Sequence, residues 1–457
     1  MEVNYYGNRL MIKKYFGTDG VRGKANVFPM TPDLALRLGA AAGRYFKRDN
    51  NEHRVVIGKD TRRSGYMFEN ALTAGLTSTG MNVFLLGPIP TPGVGFLTKS
   101  MRADFGVMIS ASHNPYNDNG IKFFGPNGFK LSDEAELAIE EIMDNKIEFA
   151  KAENIGRARR VDDGLGRYVE SAKATYQFNG SSLKGIKIVL DCANGAAYKV
   201  APQVLFELGA EVVPLGVSPN GYNINLECGS TSPELAAKKV LEIKADLGIC
   251  LDGDADRVTI IDEKGNISNG DQLLAIFARD LMRKNKLTHN TVVATSMSNM
   301  GLEKFLTSQG LKLLRTDVGD RYVVEQMQKN GINLGGEQSG HVIFSDFSTT
   351  GDGLIASLQF LAAMQGNRSS ASELLNLYEP YPQLLENVKI DQSNDPLGNS
   401  SIQKLLSEKK NLFNEFGRIV IRKSGTEPLI RVMGEHEDFS ILQEAINEIV
   451  QAIKRLN

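Results

Sequence analysis

Ala103-Asp104-Phe105-Gly106-Val107-Met108-Ile109 runs without a break into Ser110-Ala111-Ser112-His113-Asn114-Pro115. The first part reads as a buried strand, the second as a loop crowded with polar and turn-forming residues. The design returns at Ala245-Asp246-Leu247-Gly248-Ile249-Cys250-Leu251, which delivers Asp252-Gly253-Asp254-Ala255-Asp256-Arg257. Both closing strands open Ala-Asp-x-Gly, as an internal duplication would leave behind. A third version closes with Ile332-Asn333-Leu334-Gly335 and delivers Gly336-Glu337-Gln338-Ser339-Gly340-His341.

Upstream of each closing strand lie a short β-branched strand, an amphipathic helix and a second strand. In the first repeat these are Val55 to Ile57, a helix around Phe68 to Ser78, and Val83 to Leu86. The second starts at Ile186 to Leu190, passes a helix after Tyr198 and reaches Val212-Val213; the third starts at Val292 to Ala294. Such alternation predicts an α/β fold of three duplicated domains with mixed sheets, whose ligands sit beyond the carboxyl ends of the strands. The tail differs, with strands at Phe416 to Ile421 and Leu429 to Met433, a turn at Arg422 to Pro428 and a helix at Ser440 to Ile453, which together predict a smaller α+β domain. The expected divisions are 1–165, 166–264, 265–383 and 384–457, with residues 1–10 a disordered tail because they show no periodicity.

A chain of 457 residues is too long for one ordinary core. Its 42% hydrophobic and 23% charged residues are those of a globular protein, and a net charge of -2 gives no field for gripping nucleic acid or an anionic membrane. The expected partner is a small molecule. Cys192, Cys228 and Cys250 are too scattered for a disulfide framework, and neither a secretion signal nor a long apolar run is evident, so a cytoplasmic location is expected.

Asp252, Asp254 and Asp256 alternate along the chain, and carboxylates this close repel one another by several kcal/mol in a partly dry site unless a cation sits among them. Oxygen-only ligands point to a hard divalent metal, Mg²⁺ first; the plain alternative is a solvated acidic turn. A calcium-loop count from Asp252 lands on Glu263, but Arg257 stands where that loop needs glycine and the flanks read as strands. Ser112, displayed just past a buried strand, is a candidate nucleophile, the alternative being a turn whose side chains bond the local backbone. A Ser-His dyad is disfavoured, because neighbours on an extended chain point to opposite sides and His113 could not easily take the Ser112 proton. A phosphate on Ser112 would offer oxygens to the same cation.

Glu337, Ser339 and His341 suit sugar hydroxyls, with a Gly-rich turn and a core histidine as the alternative; the glycine offsets are wrong for a nucleophile elbow. Arg422, Ser424, Gly425, Thr426 and Arg431 gather donors that could cradle a phosphate, unless they form a solvated basic turn. Of the basic residues near the first strands, Arg22, Lys59, Arg62 and Arg63, only Arg22 is expected to face a ligand.

At these residues the chain resembles the α-D-phosphohexomutase family, from Tyr15 to about Gly434. Ser110 to Pro115 resembles its phosphoserine loop with Ser112 as carrier, Asp252 to Arg257 its metal loop, Gly336 to His341 its sugar loop and Arg422 to Pro428 its phosphate loop. The resemblance implies four domains around a central cleft and an isomerase in which phospho-Ser112 donates to a hexose 6-phosphate, giving a 1,6-bisphosphate that turns over and returns its other phosphate. It implies Mg²⁺ on phospho-Ser112, Asp252, Asp254 and Asp256, with Arg257 aiding transfer. Lys122 and His341 are implied as proton-transfer groups, Arg22 and His113 as phosphate contacts, and Glu337 with Ser339 as readers of ring hydroxyls.

Phe16 to Gly20, and Glu337 to His341 with Gln338 where glucose and mannose enzymes typically carry Met, resemble the branch acting on glucosamine phosphates, which feeds amino-sugar nucleotide and cell-wall precursor synthesis. For that branch glucosamine 1,6-bisphosphate or glucose 1,6-bisphosphate is the implied activator, Ser112 is phosphorylated for activation, and a homodimer is compatible. Glucose or mannose phosphate is the alternative substrate. Arg63, where relatives are usually apolar, and Asp317, where the branch often has Lys, depart from the pattern. A phosphomonoesterase and a non-catalytic sugar-phosphate sensor are the readings from other classes.

Overall fold

The computed structural model describes residues 3–6, 9–49, 51–176, 182–391, 396–423 and 429–456. The chain divides into two compact units, one of Lys13–Thr295 with Leu314–Leu377, the other of Met1–Ile12, Ser296–Leu313 and Tyr378–Asn457.

Three sheets share one strand order. The first repeat places Met81–Pro88, His53–Lys59, Phe105–Ile109 and Asp118–Phe124 side by side, and adds Val21–Lys24 beyond the last and Ala158–Arg160 beyond the first of these. The second orders Glu211–Leu215, Lys187–Asp191, Leu247–Leu251 and Val258–Asp262, and the third Lys312–Thr316, Thr291–Thr295, Leu334–Gly336 and Val342–Phe344. In every sheet the opening and closing strands of the repeat run parallel, and the closing strand pairs antiparallel with the strand that follows its loop. That fourth strand is a correction, because the sequence reading ended each repeat at the third. Each chemical loop therefore connects two neighbouring antiparallel strands.

Phe105–Ile109 and Leu247–Leu251 are buried along their whole length, as central strands covered on both faces must be. Phe105 stacks on Phe46 at 4.3 Å within a core that includes Val55, Ile57, Leu72 and Val107. The helix Asp133–Asp144 is capped by the Ser132 side chain, which accepts from the Ala135 N–H, and its acidic first turn suits the helix dipole.

In the other unit, Gln383–Lys389 and Gly417–Lys423 flank Leu429–His436, all antiparallel. Val388, Ile430, Val432, Leu442 and Ile446 form its core beneath the helices Ser400–Phe413 and Phe439–Arg455. Residues 1–10, expected as a disordered tail, instead contribute Val3–Tyr6 and part of Arg9–Ile12, paired antiparallel. Tyr5, Tyr6 and Ile12 are good strand formers, but runs this short show no period in the sequence. Cys192, Cys228 and Cys250 are buried and unbridged, and burial pushes their thiols upward, that of Cys228 to about 11. Among the described residues no helix is long and apolar enough to cross a membrane.

Candidate active site

Ser112 lies in the larger unit at φ +50°, a left-handed conformation, and its hydroxyl donates to Asp252 Oδ2 at 2.6 Å. The backbone turn also carries the His113 ring round, so that Nδ1 lies 3.5 Å from Ser112 Oγ. This corrects the expectation from an extended chain, which put the two side chains on opposite sides. Burial, with Arg257 and Arg22 nearby, lowers His113 to about 4, so its ring is neutral at pH 7.

The loop is held by a residue that the sequence reading passed over. Arg62, fully buried, donates to the carbonyls of Ser112 and Asn114 at 2.8 Å and to those of Pro115 and Asp118, while its Nε–H meets Asp60 at 2.8 Å. Asp60 also accepts from Ser110 Oγ at 2.7 Å, and Asn225 donates to the Ser112 carbonyl at 2.9 Å. Lys59-Asp60-Thr61-Arg62 follows a buried strand just as the named loops do, and that signal could have found it.

Asp252, Asp254 and Asp256 are buried, with one oxygen of each within 4.8 Å of the others. Gly253 permits the approach to the serine loop, since a Cβ there would lie 2.6 Å from the Ser112 carbonyl oxygen. The flanks are the strands Leu247–Leu251 and Val258–Asp262, and Glu263 accepts from Ser372 at 3.0 Å through the backbone and 2.5 Å through the hydroxyl, so no calcium loop forms. Burial and the charges of Asp256 and Asp254 push Asp252 well above the carboxylate range. Asp254 is held below it, because Lys122 and a Thr91 hydroxyl at 2.5 Å outweigh its burial. Asp254 Oδ1 and Asp256 Oδ1 are buried without hydrogen-bond partners among the described residues.

Lys122, on the fourth strand, lies 3.0 Å from Asp254 and 3.3 Å from Asp19. Burial opposes its charge, but those two carboxylates keep it above the usual lysine range, so it is an ammonium in this state. Arg22 pairs with Asp19, and the Nε–H groups of Arg22 and Arg257 are buried with no hydrogen-bond partner among the described residues. His341 is buried with Nδ1 3.7 Å from Asp256 and Nε2 3.5 Å from Asp320. Its Nε2 lies 3.1 Å from the Gly351 nitrogen, whose N–H can donate to it only while the ring is neutral and protonated at Nδ1. Burial favours that form; Asp256, Asp320 and Glu337 favour the charged one and outweigh it.

In the third loop, the half-buried Glu337 carries a carboxyl raised by burial, and the loop folds through a Gly340 N–H bond to the Glu337 carbonyl at 3.0 Å. The backbone carbonyl of Gln338 accepts from the Gly270 N–H at 2.9 Å; Ser339 is exposed. Arg422 and Arg431 belong to the other unit, directly opposite each other on paired strands, and burial and the charge of Arg431 lower Arg422. Ser424, Gly425 and Thr426 lie outside the described residues. Arg63 and Asp317 are both exposed.

Six acidic side chains, Asp19, Asp252, Asp254, Asp256, Asp320 and Glu337, gather here with the basic Arg22, Lys122, Lys130, Arg257 and His341. Partnerless buried oxygens on two of them, and an oxygen-only donor set, fit a hard divalent cation. The partnerless guanidinium N–H groups fit a phosphate.

Four models of the phosphoglucomutase/phosphomannomutase family match in order: alpha/beta/alpha domain I over residues 13–150, domain II over 166–265, domain III over 269–381 and the C-terminal domain over 385–452. The chain belongs to this family. A phosphoglucosamine mutase of Paracoccus denitrificans is 63% identical over 97% of this chain and 100% of its own. A family member from Burkholderia thailandensis superposes with TM-score 0.80 at 24% identity, over 96% of this chain and 97% of that one. The N-acetylphosphoglucosamine mutase of Aspergillus fumigatus, solved with GlcNAc-6P and magnesium, has the same fold at TM-score 0.67 and 18% identity, over 97% and 96% of the two chains.

As a phosphohexomutase the protein is an isomerase, an intramolecular phosphotransferase. Its larger unit brings together Ser112, His113, Arg22, Lys122, Arg257, His341 and the aspartate triplet. Besides Arg62 and Asp60, the sequence reading missed Asp19, Lys130 and Asp320. Asp19 stands inside the stretch Phe16 to Gly20 named above and Asp320 three residues after Asp317, but nothing local distinguishes a carboxylate that meets a distant lysine.

Proposed function

We propose that this phosphohexomutase interconverts glucosamine 6-phosphate and glucosamine 1-phosphate in the cytoplasm, through phospho-Ser112 and a 1,6-bisphosphate. The observation that carries the reading is the Ser112 hydroxyl 2.6 Å from Asp252, inside a buried carboxylate triplet and beside partnerless guanidinium N–H groups. A phosphate there adds close to two negative charges, so it needs the counter-charge that such a site gathers.

The C1 hydroxyl of the 6-phosphate attacks phosphorus, a P–O bond forms to it and the P–Oγ bond of Ser112 breaks. The hydroxyl proton passes to whichever of Lys122 and His341 is unprotonated when the sugar is bound, and the oxygen left on Ser112 recovers a proton from the protonated member of the pair. Once the bisphosphate has turned over, its 6-phosphoryl group returns to Ser112 by the reverse steps. Arg22, Arg257 and neutral His113 orient the phosphoryl oxygens, and little else is needed of the protein than placement and charge. Phospho-Ser112, Asp252, Asp254 and Asp256 would hold Mg²⁺, which when bound polarises the phosphoryl group. Arg422, Arg431 and residues 424–426 between them are the groups that the family resemblance assigns to the phosphate not being transferred. Initial phosphorylation of Ser112, with a bisphosphate as activator, starts the cycle.

For the sugar, the 63% identical relative and Gln338 favour the amine. The Gln338 amide carbonyl and Glu337 can accept from an ammonium at C2, and a bound ammonium would draw the raised Glu337 carboxyl back to its ionised form. Such a charge-assisted bond is worth roughly 1.5 to 3 kcal/mol. Phosphorylated enzyme with Mg²⁺ and a trace of bisphosphate should turn over glucosamine 6-phosphate at least about tenfold more efficiently than glucose or mannose 6-phosphate, and Gln338→Met should narrow the ratio. Victory of either neutral sugar rejects the amino-sugar reading. Ser112→Ala should keep its fold and fall below about 1% of parental turnover, and release of inorganic phosphate in place of isomer would favour the hydrolase.

A further inference from the structure

Lys122 and His341 are joined by two routes. The short one is Asp256, 3.8 Å from Lys122 Nζ and 3.7 Å from His341 Nδ1. The long one runs from Lys122 to Asp19 at 3.3 Å, from Asp19 to Lys130 at 2.5 Å, from Lys130 to Asp320 at 2.5 Å, and from Asp320 to His341 Nε2 at 3.5 Å. Together they close a ring in which a carboxylate stands between every pair of basic groups. The three residues of the long route come from separate parts of the fold: Asp19 precedes the strand Val21–Lys24, Lys130 follows the strand Asp118–Phe124, and Asp320 opens the helix Asp320–Asn330. That helix is tied a second time, because the next residue, Arg321, reaches Asp133 at 2.5 Å on the helix Asp133–Asp144.

We propose that Lys130, with Asp19 and Asp320, is a positioning bridge that sets the separation of Lys122 and His341 across the site. The inference rests on the reading of those two as the proton-transfer pair. Buried ion pairs are poor stabilisers, since desolvation offsets most of their attraction, whereas they do fix one arrangement against others. Lys130 touches two carboxylates at once, and each of those touches a different member of the pair. Removing its charge leaves Asp19 and Asp320 to repel each other, and the repulsion is relieved by moving the loops that carry them. A displacement of about 1 Å in such a site costs on the order of a hundredfold in rate.

The test compares Lys130→Met, Lys130→Arg and the charge-balanced Lys130→Met/Asp320→Asn, which removes one charge of each sign and stands in if the single variant does not fold. Turnover is counted per phosphorylated Ser112, so that a misfolded fraction does not register. Ring ¹⁵N signals are read for His341, one of only five histidines. For Lys130→Met we expect kcat per phosphorylated site to fall by at least about tenfold with KM within about threefold, the His341 signals to shift, and Lys130→Arg to recover at least about a third of the rate. Unchanged kcat per phosphorylated site, or a loss that Lys130→Arg does not recover, overturns the bridge. Lys122→Ala and His341→Ala are measured alongside. If they retain turnover, the underlying proton-transfer reading falls; if they lose it while Lys130→Met does not, only the bridge falls.

Discussion

Arg62 commits each of its N–H donors, one to the Asp60 carboxylate and the rest to carbonyls of the loop that carries Ser112. A lysine there has fewer donors and no planar fork, so carbonyls would be stranded in a dry site. Arg62→Lys should destabilise by about 2–4 kcal/mol in urea unfolding and lower kcat more than about tenfold, because the loop loses its placement. Parental stability in that variant would show that water replaces the lost bonds. At the same scale, the sequence disclosed Ser112 and the aspartates because they cluster after an apolar run. It did not disclose Arg62, since beside the exposed Arg63 a buried and a solvated arginine read alike, nor the +50° φ that swings His113 towards the hydroxyl.

Among elements, the helices Asp133–Asp144 and Asp320–Asn330 meet through Asp133, Glu136 and Arg321, with Lys13 in the same cluster. Burial and the attraction of Lys13 act oppositely on Glu136, and burial wins, raising it to about 7, whereas Lys13 is held above its usual range against burial by Glu136 and Asp133. The two shifts agree once Asp133, itself lowered, is counted as the counter-charge of Lys13 and Arg321. Because Glu136 binds its proton more tightly folded than unfolded, its effect on stability is absent below the ordinary value of 4.5 and becomes increasingly unfavourable as pH rises to about 7, above which it is complete. Glu136→Gln should therefore match the parent near pH 4.5 and exceed it at pH 8, by an amount on the order of 3 kcal/mol at most, read from urea midpoints. A gain that does not depend on pH would assign the effect to packing. The repeats themselves were legible from strand periodicity, but their fourth strands were not. Asp118-Asn119-Gly120-Ile121-Lys122 puts polar residues and a buried lysine where a strand pattern should be apolar, since that strand lines the site.

For the molecule as a whole, the order of domains could be read from the sequence because duplication repeats its signal, and the α+β tail because its strands and helix have distinct periods. The opposition of Arg422 and Arg431 could not, since it depends on the register of two strands. Burial and the charge of Arg431 both disfavour the charged form of Arg422, and an anion bound beside it would offset them. Arg422→Met should raise KM at least about tenfold with a smaller fall in kcat, and inorganic phosphate should protect the parent against heat but not this variant. Kinetics within about twofold of the parent would mark a solvated pair. The buried thiols have a consequence of another kind. Cys192 and Cys250 sit on or beside adjacent strands of the second sheet and Cys228 close by, all shielded and all protonated at neutral pH. An alkylating reagent such as iodoacetamide can reach them only when that domain opens, so the labelling rate is a stopwatch on its breathing, readable by mass without adding a probe.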